Sequence, residues 1–317
     1  MQIPLSAENV CATIAIIEQE SGFVADPRVP GLNKIARNEI EKRRIAHGIP
    51  VWAVNAALNV ASANGRTYNE RIRAARTEGD LNDIFEDFIG RVPLGRTLFG
   101  HLNPVHTGGP MQVSISFAGE QLRKRNYPYP MSGDVRREVF TRRGGVYFGI
   151  AHLLDYRVDY PKPVYRFADY NAGRYTSRNA AFQQALTSVT GITLKADGDI
   201  LAYRDGQQSK QTSQTVAAAR SLASRLRVSP SSIDADLAQE KEANFETTAI
   251  YRRTFELADR VSGQPVPRAV LPQIEIKGPK IQRKLTTAWF AQRVESRMRS
   301  CLDRGVANGV RMLEDLN

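Results

Sequence analysis

The segment at residues 10–17 most constrains the fold, because its apolar side chains surround a helix instead of forming a stripe along one side. Only Thr13 in this segment is polar, and at about 100° per residue the other side chains point in every direction. Ser6 is a typical N-terminal cap and Gly22 a typical C-terminal residue, which predicts a helix over Ala7–Ser21. We expect this helix to be buried on all sides.

The rest of the chain predicts a mainly α fold with little β structure. Short helices separated by Gly48, Gly65 and Gly79 are expected across residues 33–99. Two small β elements are expected later in the chain: a hairpin turning at Asp197-Gly198, and an edge strand at residues 273–277 among prolines. Further helices are predicted at residues 115–125, 134–143, 146–156, 164–171, 177–189 and 284–305, and two or three more across residues 213–227 and 231–260.

The composition of this chain is that of an ordinary globular protein with a basic balance. Its 44 Lys and Arg outnumber its 33 Asp and Glu, which gives a net charge of +11. That charge favours a polyanionic partner, such as nucleic acid, an anionic membrane surface or acidic cell-wall peptides. We find no pattern typical of sequence-specific nucleic-acid binding, phosphate binding or zinc coordination. We therefore expect no specific nucleic-acid partner, no cofactor and no metal.

The start of the chain and the two cysteines bear on export. No segment approaches the roughly 20 apolar residues of a membrane span, and no signal peptide precedes the first helix. Because that helix begins at Ala7, we expect that an upstream address is missing from the sequence. The simpler reading of Cys11 is a small buried side chain, and the alternative, if the protein is exported, is a disulfide with Cys301.

Two carboxylates, Glu18 and Glu20, close the predicted first helix. They point roughly 160° apart and cannot act as a pair. Glu20 lies beside Ile16 and Ile17, where desolvation and the negative end of the helix dipole are expected to raise the pKa of a carboxyl. A carboxylic acid that is still protonated near neutral pH can act as the general acid in glycosidic cleavage. The structural alternative is that both glutamates reach solvent at a fraying helix end.

Three short motifs follow one another along the chain. They are Glu-Ser-Gly-Phe at residues 20–23, Gly-Pro-Met-Gln-Val-Ser at residues 109–114, and Tyr-Asn-Ala-Gly at residues 170–173. A helix with Gly-x-x-Tyr and Leu-Leu-x-Tyr spacing, at residues 142–156, lies between the last two. In this order the motifs resemble those of lysozyme-like lytic transglycosylases of the soluble type.

The resemblance implies a lysozyme-like α+β fold, mainly α, that cleaves peptidoglycan glycan strands with one glutamate. Glu20 would be the catalytic acid/base, and Ser21 would orient the surroundings of Glu20. Tyr170 would place its hydroxyl near Glu20, and Asn171 would contact the sugar. Each substrate-binding residue also has a structural alternative, as a helix-end hydroxyl, a core side chain or a turn-stabilising amide. The substrate-binding residues implied by the motifs are Ser21, Met111, Gln112, Tyr170 and Asn171.

The sequence departs from compact members of that superfamily in two places. Gln112 lies 92 residues after Glu20, and a helical insertion at residues 33–104 accounts for the distance. We predict a catalytic core at residues 1–190 and a mostly helical extension packed on it at residues 191–317. Over its full length the chain also resembles a bacterial family of unknown function that is often lipid-anchored in the cell envelope. This implies a periplasmic or envelope location, with membrane contact only through a possible lipid anchor.

Three functions remain open from the sequence. In lytic transglycosylases one glutamate protonates the glycosidic oxygen and then deprotonates the muramic acid 6-hydroxyl, which leaves a 1,6-anhydro end. A lysozyme-type hydrolase would instead need a second carboxylate, for which Asp26, Asp155 and Asp169 are candidates. The third possibility is a peptidoglycan-binding envelope protein that has no catalytic activity.

Overall fold

Helices make up most of the chain, as the sequence predicts. The computed structural model describes residues 2–91, 102–131, 133–204, 206–276 and 284–307. Within these ranges no helix is long and apolar enough to cross a membrane. A 3-10 helix at Ala243–Thr247 precedes α14. The α-helices in chain order are α1 (Ala7–Ser21), α2 (Leu32–Ala46), α3 (Val51–Leu58), α4 (Tyr68–Ala74), α5 (Glu78–Gly90), α6 (Ile115–Lys124), α7 (Val135–Val139), α8 (Arg142–Leu154), α9 (Pro163–Ala172), α10 (Thr176–Thr190), α11 (Gln214–Ser221), α12 (Ala223–Leu226), α13 (Pro230–Leu237), α14 (Ala249–Ser262) and α15 (Thr287–Ala307).

Helix α1 has the predicted bounds. The Ser6 hydroxyl accepts the Asn9 amide N–H at 3.3 Å, so it caps the start of the helix, and Gly22 after its end has a φ of 57°. Cys11 and Ile16 are fully buried. Val10, Ile14 and Ile17 remain partly exposed, as the exposure along the helix shows. Burial therefore covers most sides of α1, and the expectation of burial on all sides was too strong.

The β structure consists of three pairs of two-residue antiparallel strands. They are β1 (Thr107–Gly108) with β2 (Val113–Ser114), β3 (Tyr203–Arg204) with β4 (Gln207–Gln208), and β5 (Glu275–Ile276) with β6 (Leu285–Thr286). Strand β5 lies inside the edge strand predicted at residues 273–277, whose last residue is outside the described ranges. The mainly α class with small β elements is thus confirmed.

The prediction of a hairpin that turns at Asp197-Gly198 was wrong. The hairpin nearby is formed by β3 and β4 instead. The Gly198 amide N–H donates to the Gln183 side-chain oxygen at 2.7 Å, and the Gly198 carbonyl accepts from the Asn179 side-chain amide at 3.2 Å. Both side chains belong to α10. They satisfy the backbone groups that a partner strand would have bonded, so the segment forms an irregular loop against the helix.

Two predicted helical ranges are divided in the structure. The helix expected at residues 134–143 ends at Val139, and α8 begins at Arg142 with the Thr141 hydroxyl accepting the Gly144 amide N–H at 2.9 Å. Residues 231–260, which with residues 213–227 are expected to form two or three helices, contain α13, the 3-10 helix and α14. In both cases a side-chain oxygen satisfies the amides of a new helix start, which ends the preceding helix.

The chain forms two compact units. Unit 1 comprises Met1–Ala15, Ala151–Lys277 and Arg283–Asn317, and unit 2 comprises Ile16–Ile150 and Gly278–Gln282. The core of unit 1 forms where α10 packs against α14, around the buried rings of Phe182, Phe245 and Phe255. Among the described residues of unit 2, one apolar cluster contains Val105, Val113, Ile115, Ala118, Val139 and Phe148, and another contains Tyr68, Ile72, Ala75 and Ile84. The domain bounds predicted at residues 33, 104 and 190 stay a prediction.

A disulfide bond joins Cys11 in α1 to Cys301 in α15, across 290 residues of sequence. Both cysteines belong to unit 1. The simpler reading of Cys11 as an unbonded core side chain was therefore wrong, although its side chain is indeed buried. A disulfide between residues so far apart in sequence constrains the unfolded chain strongly.

Candidate active site

The first motif forms the C-terminal turn of α1 in unit 2. Glu20 and Ser21 are the last two residues of the helix, and both are half-buried. The Ser21 hydroxyl donates to the Ile17 carbonyl at 3.0 Å, which is the helix-end role that the sequence left open as an alternative. Gly22 and Phe23 both have left-handed backbone conformations, with φ of 57° and 70°. The chain therefore reverses sharply one residue after Ser21, and Glu20 is placed at the edge of an apolar helix.

The second motif forms the turn between β1 and β2, also in unit 2. Gln112 has a φ of 49°, and its amide N–H donates to the Gly109 carbonyl at 3.0 Å. The Gln112 side chain donates to the same carbonyl at 3.3 Å and accepts from the Thr107 hydroxyl at 3.3 Å. These bonds hold the side-chain amide over its own turn.

Met111 in this turn is fully buried. A Cβ atom built on Gly149 of α8 would lie 2.4 Å from the Met111 sulfur, so only glycine leaves room for the methionine side chain. This packing favours the structural alternative for Met111, in which it supports the turn from beneath and does not line an open subsite. Gln112, by contrast, is half-buried and keeps part of its surface accessible.

The third motif ends α9 in unit 1. The Tyr170 ring packs beside the His152 ring with centroids 5.0 Å apart, and Tyr170 is 9% exposed. Asn171 is held by α15, because the hydroxyl of the buried Thr287 donates to the Asn171 side-chain oxygen at 2.8 Å. Gly173, with a φ of 116°, then ends the helix.

Two of the motifs lie in unit 2, and the third lies in unit 1. Glu20 with Ser21 and Met111 with Gln112 belong to unit 2, whereas Tyr170 with Asn171 belong to unit 1. The roles implied for Tyr170 and Asn171 at the side of Glu20 stay predictions.

Unusual backbone conformations concentrate at the three motifs. Among the described residues, four that are not glycine have positive φ, namely Phe23, Gln112, Tyr175 and Arg227. Phe23 ends the first motif, Gln112 belongs to the second, and Tyr175 follows the third by two residues. A side chain in the left-handed region costs energy and persists only where the surrounding structure requires it, and such positions cluster at functional sites.

Asp169, which precedes Tyr170, is a buried and extensively hydrogen-bonded carboxylate of unit 1. It is fully buried and accepts the hydroxyls of Tyr156 at 3.1 Å and Tyr160 at 2.7 Å. It also accepts the amide N–H groups of Tyr175 at 2.9 Å and Ser177 at 2.7 Å, at the start of α10. Burial raises the pKa of Asp169 above its ordinary value of 3.8, while these hydrogen bonds oppose the rise. This arrangement favours a structural carboxylate that ties α9 to α10 over the second catalytic carboxylate of a hydrolase.

The other two candidates for a second carboxylate are half-buried. Asp26 is half-buried in unit 2, where its side chain accepts the Gly79 amide N–H at 3.2 Å. Asp155 is half-buried in unit 1, one residue after the end of α8. Within the described residues no cluster of His, Cys, Asp and Glu could hold a metal ion.

His152 is a half-buried titratable group beside Tyr170 that sequence reasoning missed. Its Nε2 atom lies 3.3 Å from the Tyr170 carbonyl oxygen. Burial lowers the pKa of His152 to about 4 from an ordinary 6.5, with a smaller contribution from the Arg174 guanidinium. The imidazole is therefore neutral near pH 7. A histidine on the apolar stretch of a predicted helix was the available signal, but the sequence does not reveal that Tyr170 packs against it.

We expect His152 to make the stability of the protein depend on pH. Between about pH 6.5 and about pH 4 the unfolded chain binds a proton at this histidine and the folded chain does not, so the free energy of unfolding falls as the pH falls. The full loss across this window is about 3 kcal/mol. Denaturant unfolding of the wild type and of His152→Gln at a series of pH values measures it.

The difference between wild type and variant isolates His152, because both proteins share every other titrating group, including Asp169. His47→Gln, at an exposed histidine, serves as the matched control variant. An unchanged slope in His152→Gln would contradict the assignment.

Comparison with known proteins shows the family of this chain. A family described as "Protein of unknown function (DUF1615)" matches residues 1–304, and the chain belongs to it. Among curated proteins, the chain is 50% identical over 295 residues to the "Uncharacterized protein YaiW" of Escherichia coli (strain K12). This match covers 93% of the chain and 79% of the relative. No solved structure matches. Neither name states an activity, so a functional assignment depends on the residues described above.

Proposed function

We propose that this protein is a peptidoglycan lytic transglycosylase with Glu20 as its single catalytic acid/base. The observation that carries the proposal is the placement of left-handed, non-glycine residues in two of the motifs, at Phe23 and Gln112, and at Tyr175, two residues after the third. A core that needed only to fold would rarely place such conformations in the motifs that resemble a catalytic family. Because the resemblance and the backbone conformations are independent of each other, their coincidence supports an active site.

In the proposed reaction Glu20 first acts as an acid. It gives its proton to the oxygen that links muramic acid C1 to the next sugar, and the bond between C1 and that oxygen breaks. The carboxylate then takes the proton of the 6-hydroxyl of the same muramic acid, whose oxygen bonds to C1. The products are a 1,6-anhydro end and a free 4-hydroxyl, and Glu20 is again protonated. One group thus supplies both proton transfers.

Two further observations support this substrate and its compartment. The net charge of +11 suits a substrate that carries the acidic peptides of the cell wall. The disulfide between Cys11 and Cys301 suits an oxidising compartment, such as the periplasm or the cell envelope. We therefore place the proposed activity in the periplasm or envelope.

The experiment that tests the proposal is digestion of purified sacculi followed by mass spectrometry of the soluble products. We expect muropeptides with 1,6-anhydro ends. Each of these is one water lighter than the product of hydrolysis, so the masses distinguish a transglycosylase from a muramidase. Products that carry the additional water would contradict the transglycosylase assignment and support Asp26 or Asp155 as the second carboxylate.

A second candidate function is peptidoglycan binding without cleavage. It is favoured by the side-chain contacts at the motifs, since Ser21, Gln112 and Asn171 all use polar side-chain atoms within the protein and Met111 is fully buried. Such a protein would be retained on insoluble sacculi and would release no soluble fragments. Binding and release measured in the same sample separate the two functions.

A further inference from the structure

Helix α3 in unit 2 exposes an apolar face. The exposed residues follow each other at helical spacing along the helix and the two residues after it, and they therefore share one side. Trp52 is 74% exposed, Val51 is 52% exposed and Val60 is 49% exposed. None of the residues of α3 is buried. We call this side the α3 face, and it consists of Val51, Trp52, Asn55, Ala56, Asn59 and Val60.

The opposite side of α3 attaches the helix to unit 2. Leu58 packs on the cluster that contains Tyr68 and Ile72. Helix α3 is therefore held in place by one side, and its large apolar residues on the other side face solvent. Ile45 and Ile49, which precede α3, are also exposed, at 63% and 41%. Large apolar side chains grouped in this way mark an interaction surface, whereas single exposed ones are ordinary.

Basic side chains outnumber acidic ones in the sequence around α3. Residues 33–67 contain six basic and two acidic side chains, and the two acids, Glu39 and Glu41, pair with Arg43 and Arg44. The Arg44 guanidinium also donates to the Ile49 carbonyl at 3.1 Å, which ties the basic end of α2 to the turn before α3. Lys42, which directly precedes Arg43 and Arg44 in α2, is exposed. An apolar face with tryptophan beside basic side chains has the chemistry of a helix that lies in the interface of an anionic bilayer.

We propose that the α3 face binds the surface of an anionic lipid bilayer. Trp52 and Val51 enter the boundary between head groups and acyl chains, while Lys42 and its basic neighbours contact the lipid phosphates. This contact requires no membrane-spanning helix and no covalent lipid. It would hold unit 2 directly at a membrane surface.

Tryptophan fluorescence tests the proposal, because the chain contains two tryptophans. In Trp289→Phe the emission comes from Trp52. We expect a blue shift of this emission, and co-sedimentation of the protein, with vesicles of phosphatidylcholine and phosphatidylglycerol. Vesicles of phosphatidylcholine alone should bind much less protein. Absence of both signals with the anionic vesicles would overturn the proposal.

Matched variants separate the two parts of the contact. Val51→Ser with Trp52→Ser should weaken partitioning to anionic vesicles by roughly tenfold or more, whereas Val261→Ser, at a valine 54% exposed in α14, should leave it unchanged. Lys42→Gln should weaken it by roughly fivefold. Lys210→Gln, at an exposed lysine of unit 1, is the control for Lys42→Gln.

Other outcomes would also overturn the assignment. Equal binding by the double variant and the wild type would mean that another surface contacts the lipid. Self-association that is lost in the double variant, without vesicle binding by the wild type, would assign the α3 face to a second copy of the chain. The side chains substituted in the matched variants and their controls are exposed, so circular dichroism should show an unchanged fold in each of these variants.

Discussion

Substitution of Glu20 by glutamine is expected to lower the rate of fragment release from sacculi by roughly a thousandfold. Glutamine keeps the size and the hydrogen-bonding shape of the side chain but can neither give up nor take a proton at the pH of the reaction. Since the proposed reaction routes both proton transfers through this one group, no other carboxylate compensates. The rate of appearance of 1,6-anhydro muropeptides, followed by chromatography and mass spectrometry, measures the effect.

Glu18→Gln is the matched control for this variant. Glu18 lies in the same turn of α1 and is half-buried like Glu20, but it points to another side of the helix. Its substitution makes the same change of charge at nearly the same distance from the helix end, and the rate should stay within about twofold of wild type. An equal loss in both variants would point to a general effect at the helix end and would contradict the role of Glu20.

Binding to sacculi shows whether a variant has lost the catalytic step or has lost the substrate-binding site. Glu20→Gln should be retained on insoluble sacculi as strongly as the wild type, because the proposal assigns sugar contacts to other residues, such as Gln112 and Asn171. Wild-type protein that binds sacculi and releases nothing would support the non-catalytic function in place of the enzyme.

Removal of the disulfide in the double variant Cys11→Ser with Cys301→Ser is expected to lower the free energy of unfolding by about 5 kcal/mol. The bond closes a loop across 290 residues, and it therefore excludes a large number of conformations from the unfolded chain. Urea unfolding of the oxidised wild type and the double variant, in the same buffer, measures the difference as a shift of the midpoint.

Reduction of the wild type provides an independent check on the same bond. The chain contains two cysteines and both belong to this disulfide, so a reducing agent acts on one bond only. Reduced wild type should unfold at the midpoint of the double variant, and the reducing agent should not move the midpoint of that variant. Two free thiols in the denatured, unreduced wild type would contradict the pairing.

Local sequence signals predicted those elements whose ends are set by nearby residues. Helix α1 begins after its Ser6 cap and ends before Gly22, and α6 begins after Ser114 within the predicted range. The hairpin predicted at Asp197-Gly198 failed for the opposite reason, because side chains of α10 more than a dozen residues earlier bond to that loop. Turn residues alone do not tell which partner will satisfy the backbone.

In the candidate site, too, nearby residues predicted some features and contacts with distant residues decided others. The positions of Glu20, Gln112 and Tyr170 at a helix end, a turn and another helix end follow from motif and pattern. The contact of Met111 with Gly149, and that of Thr287 with Asn171 across 116 residues of sequence, do not. Such contacts decide whether a motif side chain faces a ligand or supports the turn beneath it.

By itself, the sequence determined that the chain is mainly helical, that α1 ends at the Glu-Ser pair, and that its charge is strongly positive. Only the tertiary structure decided that Met111 is buried, that Asp169 is buried among hydrogen-bond donors, that the cysteines pair and that the α3 face is exposed. Hydrophobic periodicity and capping act over a few residues and can be read along the chain. Burial and pairing depend on which distant segments pack together, and the apolar residues of α3 would read identically in a core helix.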